Sequence, residues 1–381
     1  MLRFLDAGES HGKCLLGIIE GMPAGLFLDE DKINENLQRR QMGYGRGKRM
    51  EIENDHVEIL SGVISRKTIG TPIGLMIKNN DWENVRKQSL SPLSIPRPGH
   101  ADLAGITKYG LDDCRPVLER ASARQTAMKV AIGSIARQFL EYFKINSYNH
   151  VTRIGSISVK DEPVFDEELK SKIQQSKVFC MDELVSEKMC REIDEAGKNG
   201  DTLGGVFEVA IKDAPVGLGS YAHWDRRLDG RLAAALMSIP GVKAVEIGKG
   251  IEISKKSGSK VHDEIFIAEN KQKTHFKYYR KKNNAGGLEG GISNGEVILL
   301  RAYFKPIPTL LSPLDSVNIK TGRKTKAMYQ RSDICVVPAA SVVGEAMVDW
   351  EIAAAFLEKF GGDSLQETEN NFLYYQKGLE K

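Results

Sequence analysis

From residue 116 to 143 the sequence carries Val117, Ala121, Met128, Ala131, Ile132, Ile135, Ala136, Phe139 and Leu140, with almost no breaker except Gly133. A helix with so broad an apolar stripe needs protein around it and is expected in the core. A second helix of this character is read from about Arg226 to Ile239, arginines first and then an Ala/Leu-rich body. Around the two lie segments that read as strands: 2–5, 14–19, 57–64 and 73–77 before the first, 242–247 and 297–304 after the second. Residues 31–40 read as a short helix, acids early and arginines late, as the helix dipole prefers. Strands and helices do not alternate regularly enough for a doubly wound fold. The expected class is therefore α+β, a layered sandwich of antiparallel sheets around long buried helices. The two Arg-headed, Ala-rich helices hint at internal duplication.

No low-complexity tract or linker divides the 381 residues, of which 41% are hydrophobic, so residues 1–381 are read as a single domain with a large core. A formal net charge of +3 is too small to suggest a nucleic-acid binder. No stretch approaches the ~18 uninterrupted apolar residues of a membrane span, and the N-terminus reaches Asp6 too soon for a signal-peptide core. Five scattered cysteines, none in a CxxC pair, argue against a disulfide framework or structural zinc and for a reducing cytoplasm. No metal site is evident. The basic, polar stretch 255–284 is expected to be a mobile loop. The irregular stretch 79–99, with Pro92, Pro96 and Pro98, is long enough to be expected in function.

Chemistry concentrates in a few glycine-bounded, basic places. Gly8-Glu9-Ser10-His11-Gly12 lets the backbone turn sharply and brings an imidazole to the mouth of a sheet. Ser10 and His11 are adjacent, which does not suit a nucleophile–base pair, because neighbours in an extended chain point to opposite faces. Residues 39–49 hold five cations and three glycines with no acid, a density that a phosphate or carboxylate partner would relieve. An RNA-binding loop is the rival reading there, with only Tyr44 to stack on a base. Arg97-Pro98-Gly99-His100 sets a second histidine beside a glycine, and imidazole is the natural proton donor near neutral pH. Arg120 and Arg124, four apart near the start of the long helix, share a face and oppose its dipole unless an anion docks there with Ser122. A salt-bridged helix end using Glu119 is the competing explanation. The run 283–295 has five glycines, and Arg331-Ser332-Asp333 could be a surface ion pair.

The order and content of these motifs resemble the chorismate synthase family over nearly the whole chain, Gly-Glu-Ser-His-Gly and Arg-Ala-Ser-Ala-Arg being the most specific. The resemblance implies a homotetramer whose subunits sandwich long helices between antiparallel sheets. It implies loss of phosphate from 5-enolpyruvylshikimate 3-phosphate by 1,4-elimination, giving chorismate, with reduced FMN required and no net redox change. Carried over position by position, Ser10, Arg40, Arg46, Arg49, Arg97, Arg124 and Arg331 would bind the substrate. His11 would protonate the departing phosphate, His100 would supply a proton to the reduced flavin, and Asp333 would help accept the ring proton. Flavin contacts would come from Arg120, Ala121, Ser122, Gly290, Lys305, Pro306, Ile307, Pro308, Thr309 and Arg331, and from Pro240 and Gly241, which stand where many relatives have Asn-Ala. Ser332 stands where others have His. Arg40 and Arg46 could also serve the phosphate of NADPH, although an outside supply of reduced flavin is the expectation.

Overall fold

The structure is a computed structural model and describes residues 1–47, 54–82, 92–160, 162–267, 276–328 and 333–379. The chain begins with strands β1 (Arg3–Ala7) and β2 (Cys14–Glu20), then helix α1 (Glu30–Gln41), β3 (Val57–Ser61) and β4 (Ile73–Lys78). Helices α2 (Asp102–Tyr109), α3 (Arg115–Ala121) and α4 (Thr126–Tyr142) follow. The second half runs β5 (Asn146–Ile154), α5 (Glu167–Gln175), α6 (Glu183–Lys198), β6 (Gly205–Lys212), α7 (Leu228–Met237), β7 (Val242–Ile247), β8 (Ile298–Phe304), α8 (Val337–Phe360) and α9 (Leu365–Leu379).

The first sheet has the order β1-β2-β4-β3 and the second β5-β6-β8-β7, extended beyond β5 by the two-residue strand Ile157–Ser158, with every pairing antiparallel. The two orders are the same once β5, β6, β7 and β8 are matched to β1, β2, β3 and β4. The helices match too: α1 and α7 each lead into the third strand, α4 and α8 each follow the fourth. The duplication hinted at by the Ala-rich helices is therefore present as a repeated topology. The helix that repeats α4, however, is α8, not the segment 226–239.

Between the sheets, α4 lies on the first and α8 on the second, and the two helices pack against each other. Gly133 marks their closest approach, since a Cβ there would sit 2.3 Å from the carbonyl oxygen of Ala346. Most of both helices is buried, α8 on nearly every side. Burial all round erases the 3.6-residue period, which is why the sequence after Cys335 reads only as an apolar run. A buried ionic cluster lies among the helices: Glu345 on α8 receives Arg39 at 2.9 Å and Arg137 at 3.0 Å. Burial opposes ionisation of Glu345, but Arg137 and Arg39 outweigh it and hold the carboxyl below its usual range. Asp349, one turn on, is instead pushed up by burial.

Several expectations are corrected. The helix read over 116–143 is broken at Ser122, whose backbone is extended (φ −64°, ψ 143°) and whose hydroxyl accepts the N–H of Arg124. Serine competes for local backbone groups in this way, and propensity alone does not reveal it. Arg120 consequently lies in the last turn of α3, where a cation suits the dipole, and it no longer shares a face with Arg124. The second Ala-rich helix starts at Leu228, after a short 3-10 turn at Trp224–Arg226. Within the stretch 255–284 the described residues hold a helical turn, Gly258–Val261, and strands Ile265–Ile267 and Tyr278–Arg280 that pair with each other, while 268–275 lie outside the described residues. Arg49, Arg331 and Ser332 lie outside the described residues. Among the described residues, all five cysteines are free and no helix is long and apolar enough to cross a membrane.

Candidate active site

The break between α3 and α4 organises the first cluster. Gly8, with φ +115°, turns the chain out of β1, and a Cβ there would strike the Cys14 carbonyl at 2.5 Å. The last turn of α3 grips this Gly8–Gly12 turn. Ser10 N–H donates to the Glu119 carbonyl (3.0 Å), and His11 N–H donates to Glu119 Oε2 (2.7 Å). His11 Nδ1 lies 2.9 Å from Glu119 Oε1. Arg120 donates to the carbonyls of Gly8 (3.0 Å) and Asp6 (3.1 Å), and the Ser122 hydroxyl to Ser10 Oγ (3.1 Å). Ala121 is the residue at which the helix stops.

Beneath the break lies a buried charge cluster. Arg124 Nε donates to Asn79 Oδ1 (2.7 Å), and Asn79 Nδ2 donates to the carbonyls of Glu9 (3.1 Å) and Gly12 (2.7 Å), tying the arginine to the histidine turn. Asp55 accepts from both Arg124 and Arg40, and Arg40 also holds Thr126 Oγ1 and the Ala123 carbonyl, each at 2.9 Å. Two guanidinium groups on one carboxylate leave a net positive site. Burial, helped by the fields of Arg46 and Arg124 and opposed by Asp55, pushes Arg40 down to about 10, which still leaves it charged at neutral pH. The next loop joins the same field: Arg46 Nε lies 3.4 Å from Asp333 Oδ2, and the Gly45 carbonyl accepts Ile334 N–H at 2.7 Å. Asp333 thus pairs with the 43–47 loop, which the reading of a local Arg331–Asp333 ion pair did not foresee.

A second cluster forms around His100. Its Nδ1 lies 2.5 Å from Asp102 Oδ1, and Arg97 donates to Asp102 through Nε (2.8 Å) and Nη2 (3.1 Å). Burial would raise the Asp102 carboxyl, but hydrogen bonds from His100 and Arg97 prevail and hold it well below the usual range. The turn rests on the β8–α8 connection. Lys305 Nζ donates to the Gly99 carbonyl, a Cβ on Gly99 would sit 3.6 Å from Pro308, and Ser316 donates to the Pro96 carbonyl at 2.6 Å. Lys305 N–H in turn donates to the Gly241 carbonyl (2.9 Å), beside Pro240, and Thr202 to the Ile307 carbonyl (2.8 Å). Burial and the neighbouring Lys243 push the Lys305 ammonium down. Thr309 is buried at the end of this segment, after Pro306.

The structure therefore joins Ser10, His11, Arg120, Ser122 and Arg124 at one place, Arg40, Arg46 and Asp333 beside it, and Arg97, His100, Gly241 and residues 305–308 in a contiguous stretch. Gly290 sits in a separate hairpin, Leu288–Glu289 paired with Ile292–Ser293, next to the start of α7 through the Leu228–Gly291 hydrogen bond. Sequence reasoning missed Asp55, and it reached Asn79 only as the start of the irregular stretch 79–99, with no role given to it. It also left Glu119 as a helix-end salt bridge and gave Asp102 no part. For Asp102, two residues after His100, a carboxylate at short range was the available signal; Glu119 lies 108 residues from His11, so no local signal pairs them. Among the described residues, no group of three or more His, Cys, Asp or Glu is placed to hold a metal ion.

Comparison with known proteins agrees with this geometry. The family described as Chorismate synthase matches residues 2–357. The chain is 51% identical over 387 residues to a chorismate synthase of Caldicellulosiruptor saccharolyticus, covering 99% of this chain and 100% of the relative. It is 52% identical over 386 residues to one of Pelobacter propionicus, covering 98% of each. A solved crystal structure of a chorismate synthase superimposes with a TM-score of 0.81 at 42% identity, covering 99% of this chain and 98% of that one. The chain therefore belongs to the chorismate synthase family.

Proposed function

We propose that this chain eliminates phosphate from 5-enolpyruvylshikimate 3-phosphate to give chorismate, using reduced FMN. The observation that carries the reading is the broken helix. It sets His11, Ser10 and Ser122 above a buried pair of guanidinium groups that share a single carboxylate. A C–O bond to phosphate breaks more easily when fixed positive charge and an acid receive the leaving group. In this reading Arg40, Arg46 and Arg124, with Arg49, Arg97 and Arg331, set the field for the substrate's anions. His11 protonates the phosphate, Asp333 receives the ring proton, and His100 holds a proton toward the cofactor.

The residues fit a flavin phosphate and ring. Lys305 and Lys243 repel each other in a half-buried setting that an anion would relieve. Arg120, Ala121, Ser122, Pro240, Gly241, Gly290 and residues 305–309 would then hold the cofactor. A reduced flavin, when bound, supplies electron density to the electron-poor ring. Arg40 is already bonded through Nε, Nη1 and Nη2. That favours flavin reduced elsewhere over an NADPH phosphate seated on Arg40 and Arg46. Leu5, 75% exposed, and Ile18, 51% exposed, leave the outer face of the first sheet apolar. This supports burial of that face against other copies of the chain in a homotetramer, and five scattered cysteines with no CxxC pair support a reducing cytoplasm.

The test is an anaerobic assay of chorismate formation with and without dithionite-reduced FMN, NADPH replacing dithionite in a third arm. Turnover only with reduced flavin is expected. Turnover without flavin, or steep salt-dependent nucleic-acid binding in place of turnover, would sink the reading.

A further inference from the structure

Glu119 stands apart from the arginines and histidines because all its polar groups are directed at one short turn. Its carbonyl accepts Ser10 N–H, one carboxylate oxygen accepts His11 N–H, and the other lies 2.9 Å from His11 Nδ1. Its side chain is only 12% exposed. Burial would raise the carboxyl, but the hydrogen bonds from the His11 ring and backbone outweigh this and hold it below its usual range. It therefore faces His11 as an anion. Glu119 stands in the last turn before the stop at Ser122, whose hydroxyl donates to Ser10 Oγ in the Gly8–Gly12 turn.

We propose that Glu119 is the positioning residue for His11. Its carboxylate fixes the proton on Nδ1, so that Nε2 is the ring nitrogen left to serve the substrate phosphate. This rests on the phosphate-elimination reading of the site. In the step, the C–O electron pair leaves with the phosphate, which takes the proton from Nε2 and departs as hydrogen phosphate. The neutral imidazole keeps its Nδ1 proton against Glu119, and Nε2 regains a proton from solvent before the next cycle. The ring's own proton is lost separately. The carboxylate on Nδ1 also fixes the ring's rotation.

The experiment uses the full chain with reduced FMN and compares wild type with Glu119→Gln and Glu119→Ala. Glutamine keeps the size of the side chain and an oxygen for His11 N–H, but it removes the charge. The expected result for Glu119→Gln is a fall in kcat of about 10-fold or more, smaller than the loss on removing His11 itself, with KM little changed and the chain still folded at the assay temperature. In protein labelled with 15N-histidine, the His11 signals of the same variant should move from the Nδ1–H toward the Nε2–H tautomer. Wild-type kcat in Glu119→Gln, or a lower kcat with the His11 tautomer unmoved, overturns the proposal. Should Glu119→Ala not fold, the glutamine variant still decides. An inactive wild type with Nδ1–H observed on His11 would sink the activity and leave the positioning geometry standing, so the two failures are distinguishable.

Discussion

The two halves repeat one order of strands and helices, yet they differ in what their outer sheet faces and connections carry. On the first sheet, Leu5 and Ile18 are register partners and both are exposed. On the second, the corresponding face holds a row of alternating charge across the strands: His150 opposite Glu208, Glu208 opposite Arg301, Arg301 opposite Glu246. The row is bonded along its length, His150 to Glu208 at 3.1 Å, Arg301 to Glu208 at 2.7 Å, and Tyr303 to Glu246 at 2.7 Å. Connections differ as well. β1 turns directly into β2 through the histidine turn, whereas β5 reaches β6 only after α5 and α6. A carboxylate–histidine pair thus occurs in both halves with opposite settings. Glu119–His11 sits in a tight turn against a broken helix end, and Glu208–His150 is sealed between strands with each residue about 1% exposed. In the proposed reading the same pairing serves chemistry where a turn presents the ring, and cohesion where a sheet encloses it.

The contrast also locates the site. The connections from the fourth strand to the central helix, β4 to α4 and β8 to α8, supply His100 and Arg124 from one half and residues 305–309 and Asp333 from the other. The connections from α1 to β3 and from α7 to β7 supply Arg46 and Gly241. Equivalent loops meet, as the bonds between Gly99 and Lys305 and between Ser94 and Ile319 record.

The largest expected effect tests how the halves are joined. Glu345→Ala would strand Arg39 and Arg137 in the interior, and should cost about 3–5 kcal/mol in urea unfolding. A cost under 1 kcal/mol would mean that apolar packing of α4 on α8 joins the halves without the ions. Next comes the chemistry. His11→Ala and His100→Ala should each lower kcat by about 10²-fold or more under anaerobic, reduced-flavin conditions. His150→Ala should leave kcat per folded molecule near wild type. Equal losses in all three would erase the distinction between the carboxylate–histidine pairs of the candidate site and the pair sealed in the second sheet.

A smaller effect carries a sign in pH. Burial would raise the Glu208 carboxyl, but His150 and Arg301 prevail and depress it. A carboxylate depressed on folding adds stability that is full above its unfolded pKa, about 4.3, and is lost as pH falls through the folded value. Glu208→Gln should therefore be destabilised by about 1–3 kcal/mol at pH 7, with the deficit shrinking below about pH 4. A deficit constant in pH would point to packing instead of charge. The smallest effect lies in the second half's long connection. Asp182 caps α6 by accepting Val185 N–H at 2.9 Å, so Asp182→Ala should cost about 1 kcal/mol with turnover intact. A loss of turnover there would tie α6 to the site, which Tyr44 already touches through its 2.9 Å bond to Asp194.

How much was legible follows from the range over which each signal acts. Local patterns were enough for α1, with Asp29 at its cap, acids first and arginines last, and for β7, whose bounds match the reading. Dense charge and glycine around His11, Arg46 and His100 marked the candidate site, because like charges that close are unfavourable without a partner. Composition was enough to require a large core and buried helices. What the sequence alone could not determine depends on distant partners. The stop at Ser122 joins a local bond, its hydroxyl accepting Arg124 N–H, to contacts with Ser10 and the Gly8–Gly12 turn more than a hundred residues away, which no local pattern shows. Asp55 and Asn79 matter only because folding brings Arg40 and Arg124 onto them. α8 is buried on nearly every side and so has no period to read, and only the two packed sheets give it direction. Residue types and spacing determined which chemistry the chain could host; tertiary contact decided which nitrogen of His11 is held and which arginines share one carboxylate, because hydrogen-bond geometry and burial are properties of neighbours in space, not in sequence.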